Sequence, residues 1–168
     1  MFELTAPALV ALERGFAEAP EYSNQQLIAG MTEATLLLER EVKDGFPAVS
    51  GLTRAGIFSD AFSTSAGVLG VVGSNSIAAV AVELGTKPHR PPVEPILMWV
   101  NEKLGLRGKE ARGVAFAIAN KIAAVGTKAQ HPFGKATVQQ SQAVFSIFEK
   151  VAGRIAAHLA AGGTGAAA

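Results

Sequence analysis

The chain has 168 residues, of which 49% are hydrophobic and 17% are charged. This length predicts a single domain, residues 1–161, and the composition excludes intrinsic disorder over most of it. The net charge of +1 excludes binding to nucleic acid through overall charge. The absence of cysteine excludes disulfides, thiolate metal sites and a cysteine nucleophile.

Membrane segments are not expected either. Residues 61–82 carry no charge and reach the length of a membrane span, but serine and glycine clusters divide them into strand-sized pieces. The N-terminus has no basic region followed by an apolar run, so no signal peptide is predicted. We therefore expect a soluble protein that is made in the cytoplasm and has no membrane partner.

Charge is distributed unevenly along the chain. Residues 1–60 hold four basic and nine acidic side chains, a net of −5, whereas residues 87–135 hold nine basic and three acidic, a net of +6. One interpretation is a pair of solvated faces with a skewed mixture of charges. The other is a polar subunit whose acidic side meets the basic side of a neighbour, a head-to-tail contact that can close into a ring.

Two helices are predicted near the N-terminus. Pro7–Glu18 has apolar residues at helical spacing, and Pro20 is expected to end this helix. A longer helix follows from about Ser23 or Asn24 to Lys43, where apolar residues recur every three or four positions.

The middle of the chain predicts a sheet. Ala55–Thr64, Gly67–Gly73 and Ile77–Leu84 are apolar runs of strand length, separated by turn clusters. We expect an antiparallel meander of three to four strands, with its apolar face covered by the long helix. The predicted fold class is therefore α+β, with additional helices toward the C-terminus.

The sequence after Leu84 predicts two loops and three helices, including a helical insertion at about residues 94–125. Four prolines within eight residues make the first loop rigid. Residues 162–168 are a Gly/Ala tail that is expected to be disordered. The predicted bounds are Gly85–Pro95 for the first loop, Ile96–Leu104 and Glu110–Val125 for two helices, Gly126–Gly134 for the second loop, and Lys135–Ala161 for the final helix.

A short internal echo links the two loops. Gly85-Thr86-Lys87 and Gly126-Thr127-Lys128 are each followed by a proline six positions after the glycine. Because a strand is predicted before the first and a helix before the second, the echo is interpreted as too short to be a structural repeat.

The residue patterns predict no enzyme, cofactor or metal site. His89, His131 and His158 do not stand at a metal-ligand spacing, and no carboxylate pair accompanies them. His89 and His131 are expected to hydrogen-bond to loop backbone. The glycines near residue 70 are not followed by the Lys-Ser/Thr pair of a phosphate loop.

A DNA-binding protein is the alternative from a different class. The two helices of residues 94–125 resemble a helix-turn-helix in outline, but the second helix has few side chains that reach base edges. Loose phosphate contact is favoured over sequence-specific binding. The basic residues of this region are Lys103, Arg107, Lys109, Arg112 and Lys121.

Four stretches carry a resemblance to a known family. They are Val82-Glu83-Leu84-Gly85-Thr86, Pro88-His89-Arg90-Pro91-Pro92-Val93-Glu94-Pro95 with Trp99, Val114-Ala115-Phe116-Ala117-Ile118-Ala119 with Ile122, and Gly126-Thr127-Lys128-Ala129-Gln130-His131-Pro132-Phe133. In this order they resemble the tail-completion and head–tail joining (neck) proteins of tailed bacteriophages, including the lambda minor tail protein Z group. The resemblance covers residues 25–160, with a partial match at Ser50-Gly51-Leu52.

The resemblance implies a structural virion protein that makes and breaks no bond. Its copies would form a ring, a hexamer or a dodecamer, in the virion neck. The ring would lie between portal, adaptor or head-closure proteins and the tail terminator or tail tube, with DNA passing through it non-specifically. A tail terminator ring is the alternative within the same class.

Contacts in such a ring are expected from the two loops. Glu83 and Thr86 are expected to fix the turn from strand to loop, and Pro88–Pro95 to form a contact surface. Trp99 is interpreted as a core residue more readily than as an interface residue. The full set expected at interfaces is Glu83, Thr86, Lys87, His89, Arg90, Trp99, Lys128, His131 and Phe133.

Overall fold

The computed structural model describes residues 6–47 and 51–161 as seven helices and one two-stranded antiparallel sheet. The predicted α+β class is confirmed. The predicted tail, residues 162–168, lies outside the described residues. The elements are α1 (Ala6–Gly45), α2 (Gly51–Ala55), β1 (Ile57–Thr64), β2 (Gly67–Ser74), α3 (Ile77–Leu84), α4 (Val93–Lys103), α5 (Gly108–Val125), α6 (Pro132–Gln139) and α7 (Ser141–Ala160).

The chain packs as two compact units of opposite charge. The first, which we call the acidic unit, comprises Met1–Glu39, Ser59–Val72 and Gln139–Ala168, and its sequence holds three basic and eight acidic side chains, a net of −5. The second, the basic unit, comprises Arg40–Phe58 and Gly73–Val138, with twelve basic and six acidic side chains, a net of +6. The uneven charge of the sequence therefore coincides with the division of the fold.

A single helix replaces the two that the sequence predicts at the N-terminus. The expected break at Pro20 is wrong, because α1 continues through this residue. Proline removes one backbone N–H donor from the helix but leaves the rest of the ladder available. Two residues after the proline, the Tyr22 ring stacks on the ring of His158 in the acidic unit, with centroids 3.7 Å apart.

Helix α1 and α7 pack closely in the acidic unit. A Cβ on Gly30 would lie 2.5 Å from a methyl group of Val151, so the absence of a side chain lets the two helices approach. Gln26 accepts a hydrogen bond of 2.7 Å from Arg154. These contacts hold α1 in helical form past the proline.

The third predicted strand is wrong, because residues 77–84 form helix α3. Alternating valine and alanine fit a strand by period, but alanine has the highest helix propensity. Ser76 occupies the N-cap position with extended backbone angles. The sheet is therefore a two-stranded hairpin rather than a meander of three to four strands.

The hairpin has one covered face and one exposed face within the acidic unit. A Cβ on Gly70 would lie 2.6 Å from atoms of Met31 and Thr35, so α1 packs directly on this face, as the sequence predicts. Ser63 donates a hydrogen bond of 2.8 Å to Asn24 on the same helix. Because side chains alternate between the two faces of a strand, the residues next to Gly70 on β2 and next to Ser63 on β1 point away from α1.

The two helices predicted within residues 94–125 are confirmed in the basic unit, with bounds close to those predicted. α4 begins at Val93, earlier than expected, because Pro95 falls in the first turn, where its missing N–H is not needed. Val100, Ala111 and Ala115 form a fully buried cluster between α4 and α5, and Trp99 is partly buried against it. Small alanines on α5 allow this close approach.

Two further differences concern short helices. α2 lies where the sequence predicts only the approach to the first strand. The expected final helix, Lys135–Ala161, is wrong as one element, since α6 and α7 are separated at Gln140.

None of the described helices is long and apolar enough to cross a membrane.

The continuity of α1 gives the first prediction. Replacing Pro20 by alanine restores one helical N–H donor, so we expect Pro20→Ala to raise the free energy of unfolding by about 1–3 kcal/mol. Pro95→Ala is the matched control, because that proline lies in a first turn, and it should change stability little. Chemical denaturation followed by circular dichroism measures both. Unchanged or lower stability of Pro20→Ala would contradict a continuous helix.

Candidate functional site

The two loops that the sequence singles out meet in the basic unit through a pair of threonines. The Thr86 N–H donates to the Thr127 carbonyl and the Thr127 N–H donates to the Thr86 carbonyl, each at 3.1 Å. Their hydroxyl oxygens lie 3.0 Å apart. This threonine clasp is an isolated antiparallel bridge between residues 41 positions apart, and it joins the chain just before and just after the α4–α5 pair.

Glycine is required on both sides of the threonine clasp. Gly85 and Gly126 end α3 and α5 with φ of +72° and +74° and nearly extended ψ, a region that essentially only glycine occupies. A Cβ on Gly85 would lie 2.5 Å from the Thr127 carbonyl oxygen, and one on Gly126 would collide with that of Thr86. The sequence echo is thus a pair of equivalent helix ends, and the expectation that a strand precedes the first is wrong.

Glu83 links the end of α3 to the start of α6. Its carboxylate accepts hydrogen bonds from the N–H groups of Phe133 at 2.8 Å and Gly134 at 3.2 Å. These are free N–H groups of the first turn of α6, where the helix dipole also favours a negative charge. His131 Nδ1 lies 3.9 Å from Glu83 Oε1. Glu83 therefore fixes the second loop, not the turn from a strand that the sequence predicts.

The second loop is also anchored by apolar contact and backbone pairing. The N–H of Gln130 donates to the Val82 carbonyl at 2.9 Å. The Phe133 ring meets the ring of Phe46 edge-on, with centroids 5.9 Å apart and planes at 86°. Arg54 donates to the carbonyls of Asp44 and Phe46, each at 3.4 Å, and so ties the last residues of α1 to the same unit.

The structure brings together four of the nine expected interface residues, and the other five lie outside this group. Glu83, Thr86, His131 and Phe133 form this loop junction. Outside it, His89 Nδ1 lies 3.0 Å from the Lys87 carbonyl, which confirms the expected contact with loop backbone. Trp99 belongs to the α4–α5 pair instead. The remaining four expected residues, Lys87, His89, Arg90 and Lys128, are exposed in the two loops.

An exposed apolar stripe on α3 is the feature that sequence reasoning missed. Ile77, Val80 and Leu84 lie on one helical face and are 89%, 56% and 68% exposed. This α3 stripe borders an open, mainly apolar groove of about 250 Å³, which Phe133 and Glu83 also line. Helical spacing at positions i, i+3 and i+7 is the signal that would have found it, but a strand interpretation places Ile77 on the opposite face from Val80 and Leu84.

The site presents exposed apolar and basic side chains beside the hydrogen-bonded loop junction. Within residues 6–47 and 51–161, no group of three or more histidines or carboxylates could hold a metal ion. The polar groups of the loop junction bind backbone groups of the same unit, which gives the exposed loop residues a fixed support. The arrangement is suited to binding another macromolecule through apolar and basic groups.

No protein-family description, curated protein or solved structure matches this chain.

The threonine clasp gives the second prediction. Gly105 also has a positive φ, of +68°, but no atom lies within 4 Å of the position that a Cβ would occupy there. Gly105→Ala should therefore cost only the backbone penalty of about 1–2 kcal/mol. Gly126→Ala adds the collision with Thr86 and should lower the free energy of unfolding by a further amount of about 1–3 kcal/mol.

A third glycine completes this comparison. Gly113 lies within α5 with open space around it, so Gly113→Ala should stabilise the protein by about 0.5–1 kcal/mol. Equilibrium denaturation of all three variants ranks their free energies of unfolding, with Gly113→Ala expected highest and Gly126→Ala lowest. Equal losses for Gly105→Ala and Gly126→Ala would contradict the close approach in the threonine clasp.

Glu83 gives the third prediction. Glu83→Ala leaves two N–H groups of α6 without their acceptor, the partly buried one of Phe133 and the exposed one of Gly134, and should lower the free energy of unfolding by about 1–3 kcal/mol. Hydrogen exchange at the amides of Phe133 and Gly134 should become faster. Glu94→Ala is the control, since Glu94 lies exposed in the first turn of α4 and accepts no capping hydrogen bond there, so it should cost at most about 1 kcal/mol. Unchanged exchange at both amides would contradict the capping role.

Proposed function

We propose that this protein is a structural component of a bacteriophage neck. In this proposal its copies form a ring that completes the tail or neck, joins the capsid connector to the tail tube and encloses the DNA channel. The observation that carries the proposal is the division of one chain into an acidic unit of net charge −5 and a basic unit of net charge +6.

Opposite charges on two units of one chain favour a head-to-tail contact. In such a contact the acidic unit of one copy meets the basic unit of the next, and the pair keeps one free acidic unit and one free basic unit for further copies. A contact of this kind either closes into a ring or continues as a filament. A two-fold dimer that pairs like units would bring like charges together, which is unfavourable.

The loop junction supports the second part of the proposal, the contact with other neck components. The threonine clasp and Glu83 hold the proline-rich loop and the second loop in fixed positions, so binding through their exposed residues costs little conformational entropy. The loop junction also lies in the stretches that carry the resemblance to neck proteins. Glu83 and Thr86 belong to the stretch 82–86, and His131 and Phe133 belong to the stretch 126–133.

Native mass spectrometry over a range of concentrations and salt, followed by negative-stain imaging, tests the proposal. We expect a closed oligomer larger than a dimer, which dissociates as salt rises because the contact is partly electrostatic. A chain that stays monomeric at every concentration, even at low salt, would contradict the ring.

A DNA-binding protein is the second candidate, because two helices joined by a short connection resemble a helix-turn-helix in outline. α4 and α5 are joined by four residues, and Lys109, Arg112 and Lys121 are exposed on α5. A regulator of this kind would be a stable two-fold dimer that prefers one duplex sequence. A ring component would bind duplex DNA weakly, without sequence preference and with a loss of affinity as salt rises. Titrating the protein with two unrelated duplexes at several salt concentrations separates the two functions.

A further inference from the structure

The acidic unit has an exposed apolar face on its sheet. Strands β1 and β2 are joined by the two residues 65 and 66, so Phe62 on β1 lies opposite Leu69 on β2. Both residues, together with Val71, lie on the face directed away from α1, and they are 42%, 49% and 38% exposed. We call these three residues the outer sheet face.

The outer sheet face leaves the hairpin incompletely packed. An isolated two-stranded hairpin is at best marginally stable in water and needs a further strand or packing against a helix. Here α1 covers only one face, through its contacts with Gly70. A second helix on the other face would complete a layered arrangement of helix, sheet and helix.

The α3 stripe is an exposed apolar helical face, the kind of surface that could cover the outer sheet face. It is a helical face of two turns formed by Ile77, Val80 and Leu84, and it belongs to the basic unit. Its helix is about 12 Å long, which fits on strands of about 27 Å. The adjoining groove of about 250 Å³ offers space for a large apolar side chain.

We propose that the α3 stripe of one copy packs on the outer sheet face of the next copy, as the repeated contact between neighbouring subunits. The inference names the surfaces of the contact in the proposed ring and so rests on that proposed function. A large side chain of the outer sheet face, Phe62 or Leu69, would enter the groove beside Leu84 and Phe133 of the neighbour.

Charge selects this pairing over the two symmetric ones. A contact between two α3 stripes would bring together two basic units, each of net charge +6, and one between two sheets would bring together two acidic units, each of −5. The mixed pairing brings opposite charges together. Asp60 lies exposed on the same side of β1 as Phe62, while Lys87 and Arg90 are exposed in the loop that follows α3.

The first arm of the test places a carboxylate on each surface in turn. Ile77→Glu on α3 and Leu69→Glu on β2 should each weaken self-association at least about tenfold, because a charge would be buried in an apolar contact. Met98→Glu and Phe145→Glu are matched controls, since these residues are 70% and 67% exposed on α4 and α7, and both variants should assemble like the wild type. Circular dichroism checks that each variant is folded, and Val71→Glu replaces Leu69→Glu if that variant is not.

The second arm mixes the two deficient variants. Ile77→Glu retains an intact outer sheet face and Leu69→Glu retains an intact α3 stripe, so the mixture should form one-to-one dimers and no larger species. Analytical ultracentrifugation detects them. The proposed surfaces would be overturned if the mixture failed to associate, or if either variant assembled normally within a wild-type ring. Either result would leave the proposal of a ring unaffected. A wild-type chain that does not self-associate would instead overturn the ring and the contact together.

Discussion

The pairing of Thr86 with Thr127 is the constraint on which the basic unit depends. It joins residues 41 positions apart, so the whole α4–α5 pair lies in a segment whose ends are held together. Closing such a segment has an entropic cost, which backbone hydrogen bonds in both directions help to offset. Glycine at both helix ends makes the approach possible, because a Cβ at either position would meet the backbone of the other strand of the bridge.

Glu83 extends this constraint to the next helix. One carboxylate binds two N–H groups at the start of α6, so the end of α3 determines where α6 begins. The same loop is held by Phe133 against Phe46, at the end of α1. The exposed residues of both loops are thus attached to fixed backbone, so any binding through them costs little conformational entropy.

The elements that the sequence predicts well are those with long or unambiguous patterns. α5 has an apolar row over many turns, and the hairpin has two apolar runs with a clear turn between them. α3 has only eight residues, and its alternating Val and Ala fit a period of two as well as a helix. The continuation of α1 through Pro20 depends on packing against α7, which no local pattern reveals.

The candidate site shows the same limit. The sequence predicts that Glu83 and Thr86 fix a turn, but their partners lie 50 and 41 positions later in the chain, so the form of the contact follows only from the folded structure. The α3 stripe escapes sequence reasoning because a strand interpretation separates Ile77 from Val80. Charge, by contrast, is informative in the sequence, since its two blocks correspond closely to the two units.

The central claim is that neighbouring copies meet head to tail, and the absence of cysteine from the chain allows a direct measurement. In the double variant Leu69→Cys/Leu84→Cys, oxidation at low salt should link each copy to the next and give a covalent ladder that ends at the size of the closed ring. Non-reducing electrophoresis and intact mass spectrometry would record it. A covalent dimer linked through Leu84→Cys on both copies, or an unlinked or internally linked monomer, would contradict the account.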